Sequence, residues 1–78
     1  MLTYSQLTSS IQRKLRKSGH PELAKRVSRA ISGGKTTDEQ IDRISVTLER
    51  IKKENRKSYR VIEHESKDFF RYYNNLWI

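Results

Sequence analysis

"TTDEQIDRISVTLERIKKENRKSYRVIEHESKDFFRYYNNL", residues 36–76, holds neither proline nor glycine, and how it is read decides the fold. Ile41, Ile44, Leu48 and Ile51 recur at alternating three- and four-residue spacings. The same register continues through Asn55, Ser58, Ile62, Glu65, Phe69, Tyr72 and Leu76. Such a seam belongs to a helix that packs along one stripe, and a periodic run much beyond about 25 residues suggests a coiled coil. Two chain paths satisfy the pattern. One helix spans 37–76, or the chain breaks near Ser58 or Ser66 and folds back to bury the aromatic cluster, with "SKDFF" (66–70) opening a new helix. Ser58 and Glu65 at core positions weaken the continuous seam, whereas Asn55 within it suits a residue that specifies register or oligomer state. The start is marked twice: Thr36 and Thr37 each have a capping-box partner three residues on, Glu39 or Gln40, with Asp38 in the first turn.

Upstream, only "SGHP" (18–21) and "SGGKTT" (32–37) interrupt helical spacing, which predicts two short helices. The first takes Thr3 as N-cap with Gln6 as its partner, and Leu2 packs on Leu7 as a hydrophobic staple. Leu7, Ile11 and Leu15 form its apolar stripe, and Gly19 closes it. Pro21 suits the first turn of the second helix, with His20 before it and Glu22 beside the positive end of the helix dipole. Its apolar face is Leu23, Ala24, Val27, Ala30 and Ile31. Gly33 and Gly34 are expected to end it by adopting the left-handed conformation.

The fold class that follows is all-α: a small bundle of two short N-terminal helices and one long, or long and broken, C-terminal helix, forming one domain over 1–78. At 78 residues, with hydrophobic and charged residues each 33%, the core is thin. There is no cysteine, so neither disulfides nor thiolate metal ligands can staple it. Self-association through the seam, as a coiled-coil or bundle homodimer, is expected. The first residues are neither basic nor a long apolar run, and no stretch has transmembrane length, so a soluble, cytoplasmic protein is expected.

Charge is divided unevenly. Residues 11–35 hold eight Lys/Arg (Arg13, Lys14, Arg16, Lys17, Lys25, Arg26, Arg29 and Lys35) against one acid, Glu22, while the long C-terminal segment mixes signs. A formal net charge of +8 points to an anionic partner, nucleic acid first. Cations on successive helical turns neutralise phosphates and release counterions. Those eight residues are therefore the candidate nucleic-acid contacts, DNA ahead of RNA, with Lys25, Arg26 and Arg29 making the second helix the candidate groove helix. Arg50, Lys52, Lys53, Arg56, Lys57 and Arg60 form a second basic stretch that extends the same surface.

Catalytic chemistry finds no foothold. "SGGKTT" resembles part of a phosphate-binding loop, yet it follows a helix and lacks the longer glycine-spaced loop after a strand. His64 lies between Glu63 and Glu65, but adjacent residues diverge by about 100° on a helix, and no second histidine is three or four residues away. No catalytic residue, metal site or cofactor is expected, and the chain is not read as an enzyme. "ELAKRV" and "ISGGKTTDEQIDRISVTL" resemble parts of the helix-turn-helix domains of phage repressors and Cro. Between Glu22 and Ile31 there is no room for a turn plus a separate recognition helix, so no family is assigned and no residue is carried over.

The expectation is thus a non-enzymatic nucleic-acid-binding regulatory or accessory protein of the kind that phages and mobile elements encode. The rival is a helical protein-interaction module, such as an inhibitor, an immunity-type protein or an assembly factor, docking on an acidic protein or a membrane. Its contact would be the aromatic cluster of "FFRYYNNLWI" (69–78), exposed and rimmed by Arg60, Lys67 and Arg71. Buried aromatics beside an open basic surface favour nucleic acid instead.

Overall fold

The computed structural model describes residues 4–76, with side chains through Asn75. The predicted N-cap Thr3, the staple residue Leu2 and the side chain of Leu76 lie outside the described residues. Five helices follow in order: α1 Tyr4–Lys17, α2 Pro21–Gly33, α3 Thr37–Glu54, α4 Arg56–Val61 and α5 Glu63–Leu76. The all-α class stands, but the long C-terminal helix is three helices.

The breaks fall at Asn55 and Ile62, not at Ser58 or Ser66. Asn55 leaves helical geometry at φ −140°, ψ 73°, and Ile62 does so at φ −112°, ψ 14°. Each bend costs little hydrogen bonding. Asn55 N–H still donates to Ile51 O at 2.8 Å, its own carbonyl accepts from Tyr59 N–H at 2.9 Å, and Ile62 O accepts from Ser66 N–H at 2.8 Å. A straight helix over 37–76 would be about 60 Å long, whereas the molecule measures 34 Å along its longest axis. The gain is burial. Ile62 and Phe69, both 0% exposed, join Ile11 and Leu15 of α1 in one core with Ile41, Ile44, Leu48 and Ile51 of α3.

Polar residues in the seam find partners across this fold-back. Ser58 Oγ lies 3.1 Å from His20 Nε2, and Lys14 Nζ donates to Glu65 Oε1 at 2.6 Å. A continuous coiled coil would leave both without these groups. Asn55 is exposed at a bend, so it is not a buried register residue. The remaining described seam positions face the chain's own core, with Tyr72 half-buried against it.

Packing closes a four-cornered arrangement. α1 packs on α2 and α5, and α3 packs on α2, α4 and α5, while among the described residues α2 and α5 do not meet. α1 ends as predicted at Gly19, φ +84°, where His20 N–H donates to Leu15 O at 2.8 Å and Gly19 N–H to Arg16 O at 3.2 Å. That paired closure needs a left-handed residue. α2 ends differently from the expectation, for Gly34 is extended at φ −87°, ψ 133°. Close approach is the reason for glycine there: a Cβ would sit 2.6 Å from Gln40 Cγ and 2.7 Å from Gln40 N. Gln40 in turn donates to Gly34 O at 3.4 Å and accepts from Tyr4 Oη at 2.9 Å, tying α1 to the turn. Thr36 is the N-cap of α3, accepting from Glu39 N–H at 3.2 Å, while Glu39 Oε2 accepts from Lys35 N–H at 2.8 Å.

Candidate nucleic-acid interface

α2 and α3 are joined by residues 34–36 alone, so their outer faces run side by side and form a groove of about 380 Å³. Arg26 and Arg29 line it from α2, and Arg43 and Arg50 from α3. The floor between them is small or short: Ala30, Thr47 and Val46, which is 45% exposed. Helical spacing explains the convergence. Positions 26, 29 and 30 share one flank of α2, and 43, 46, 47 and 50 one flank of α3, because residues three and four apart are neighbours on a helix. Arg26 donates to Glu54 Oε2 at 2.9 Å across the groove's end. Arg29, Arg43 and Arg50 form no ion pair among the described residues.

Two of these arginines complete a site that the N-terminal basic run only half defines. Arg43 stands outside the predicted contacts, and Arg50 belongs with Arg26 and Arg29 rather than with Lys52 and its successors. A three-residue turn between two amphipathic helices was the available sign, since it forces neighbouring antiparallel packing. The second basic stretch is accordingly split. Lys52, Arg56 and Arg60 line a separate groove against α5, and each groove also holds a carboxylate from α3, Asp42 in the first and Glu49 in the second.

The other predicted contacts are placed as follows. Lys25, Arg16 and Lys17 are exposed outside both grooves, and Lys35 is exposed in the α2–α3 turn. Arg13 borders a shallow hollow of about 330 Å³ with Ser5, Gln6, Ser9 and Ser10 on the outer face of α1. Lys14 is diverted, for its ammonium meets Glu65, which is only 5% exposed, and this pair clamps α1 to α5. Among the described residues Glu65 Oε2 has no hydrogen-bond partner, and Lys14 is the one cation paired with that carboxylate.

The aromatics are mostly inside. Phe69 and Tyr59 are buried, and Tyr4, Phe70, Tyr72 and Tyr73 pack half-buried against the core. Burial, with the neighbouring Tyr72, raises the Tyr4 phenol above its ordinary pKa. Tyr73 donates to Asp42 Oδ1 at 2.9 Å, and this hydrogen bond to a carboxylate is the main cause of its raised phenol pKa. His64 is a surface residue, its side chain 87% exposed and 3.8 Å from Asp68. Among the described residues, no group of three or more His, Cys, Asp or Glu could hold a metal ion, and no helix is long and apolar enough to cross a membrane. Comparisons of the chain with family models, with curated proteins and with solved structures find no match.

Proposed function

We propose that this is a non-enzymatic nucleic-acid-binding protein, most simply a small DNA-binding regulatory or accessory factor, that grips the phosphate backbone through the α2–α3 groove. The supporting observation is the convergence of Arg29, Arg43 and Arg50, none of them ion-paired among the described residues, on one open groove with a small-residue floor. Planar guanidiniums bind phosphate bidentately, and a floor without bulky side chains lets a backbone approach. Lys25 and Lys35 extend the positive surface along α2 and into the turn. The amino end of α3 is a poor phosphate site because Asp38 and Glu39 occupy its first turn. No arrangement of side chains here marks a base-reading set, so affinity is expected to come from the backbone and to fall steeply with salt.

The test is fluorescence anisotropy of a labelled duplex titrated with the protein at several salt concentrations, beside heparin and polyglutamate. Preference for the duplex, with a log–log salt slope of about −0.9 per phosphate engaged, supports the proposal. Equal binding to any polyanion, or none at low salt, overturns it.

A further inference from the structure

Two short segments share a pattern: "RKSYR" (56–60) and "KDFFR" (67–71) both read basic, two residues, aromatic, arginine. On a helix, positions i, i+3 and i+4 share a face. Each segment therefore sets two cations beside one ring, and the bend at Ile62 brings both faces onto one wide groove of about 820 Å³, with Lys52 and Glu49 contributed by α3. Within it the two rings differ. Tyr59 is 7% exposed and Lys52 Nζ lies 5.8 Å from its ring centroid, so it serves as a covered floor. Phe70 is half-buried, and its ring is braced edge-to-face by the buried Phe69 at 6.0 Å and 80°, leaving part of it in the groove. Lys67 is engaged by Glu63 at 3.2 Å. Arg56, Arg60 and Arg71 form no ion pair among the described residues.

We propose that this α3–α4–α5 groove is a second site that takes a single-stranded nucleic acid, stacking a base on Phe70 and holding the flanking phosphates with Arg56, Arg60 and Arg71. A fixed aromatic ring among free cations is what a single strand requires, because every base has a π-face and unpaired bases can leave their own stack. A duplex keeps its bases inside and finds no use for Phe70. The groove lies across α3 from the one assigned to the duplex, and its binding stands or falls independently of that assignment.

The experiment uses the full chain with labelled oligo-dT and oligo-rU of about 15 nucleotides, a length at the upper end of a single small binding site. Phe70→Leu keeps an apolar side chain in place and removes the ring. It is expected to weaken both oligomers on the order of tenfold, while duplex affinity stays within error and circular dichroism shows the chain still folded. Arg60→Gln with Arg71→Gln is expected to lower the single-strand salt slope by about 1.4, at about 0.7 per phosphate. A stronger loss on oligo-rU than on oligo-dT assigns the site to RNA, and the reverse to DNA; either supports the proposal. Unchanged single-strand binding by Phe70→Leu, displacement of the oligomer by stoichiometric duplex, or equal affinity for polyglutamate overturns it. The last outcome would make the groove a dock for an acidic protein.

Discussion

The two flanks of α3 carry the same sign of charge with opposite furnishings. On the α2 side, arginines stand over Ala30, Thr47 and Val46, and among the described residues no aromatic residue lines the groove. On the α5 side, arginines alternate with Tyr59 and Phe70. The difference teaches that net charge alone does not describe a binding surface: what lies between the cations selects which anionic polymer gains more than Coulomb attraction. Each flank also carries one α3 carboxylate, Asp42 on the α2 side and Glu49 on the α5 side.

The most disruptive way to break that comparison is to remove its support. Phe69 is fully buried in the shared core, and Phe69→Ala is expected to cost about 3–5 kcal/mol, measured by chemical denaturation. That is a large part of the stability of so small a domain, and both binding activities should fall together. Sharper is Arg29→Glu with Arg43→Glu. Duplex affinity should drop by roughly two orders of magnitude at low salt, and the salt slope should become shallower by about two units. Oligo-dT affinity and circular dichroism should be unchanged, and a parallel loss of single-strand binding would show that the flanks act as one.

Smaller effects probe the frame that holds the flanks apart. Gly34→Ala drives a methyl into Gln40 N and Cα and is expected to destabilise by about 1–3 kcal/mol. The duplex side should suffer first, since this turn sets how α2 lies against α3. Lys14→Met leaves Glu65 without its ammonium, and the half-exposed lysine limits the cost to about 1–2 kcal/mol. Adding Glu65→Leu should recover much of it, and duplex binding should barely change, because the Lys14 ammonium is engaged by Glu65. The smallest effect is Tyr73→Phe, which removes one exposed tie to Asp42. The raised Tyr73 phenol means the folded state favours the protonated ring. Its small contribution is present below the ordinary tyrosine pKa near 10 and is lost as pH climbs through the raised value. A melting-temperature difference between wild type and Tyr73→Phe that narrows above about pH 10 is the expected result.

Much of the fold was legible. The caps and stops at Gly19, Pro21 and Thr36 are local chemistry, and the stripes Leu7–Ile11–Leu15 and Ile41–Ile44–Leu48–Ile51 are one-dimensional patterns, so both could be read from spacing. The bends at Asn55 and Ile62 could not. No proline or glycine marks them, and each is one residue whose hydrogen bonds nearly survive, so local propensity hardly separates a straight helix from a bent one. Ser58 and Glu65 were the clue. Their polarity argued against an interchain seam, yet their partners His20 and Lys14 lie some forty to fifty residues away, at separations of 38 and 51. The candidate site was half legible for the same reason. The basic run on α2 stands out in sequence, while Arg43 and Arg50 sit in mixed-charge surroundings and acquire meaning only beside it.

By itself, then, the amino-acid sequence determined that the chain is helical, where the second and third helices begin, which faces are apolar, and that its charge is strongly positive. These follow from caps, periodicity and composition, which act over a few residues or over the whole chain. Only the tertiary structure decided that the seam turns back on α1 instead of running on, that Lys14 serves the core, and that the basic residues sort into two grooves with different floors. Those outcomes depend on burying Ile62 and Phe69 against side chains distant in sequence, and burial is a property of the assembled core rather than of any stretch of it.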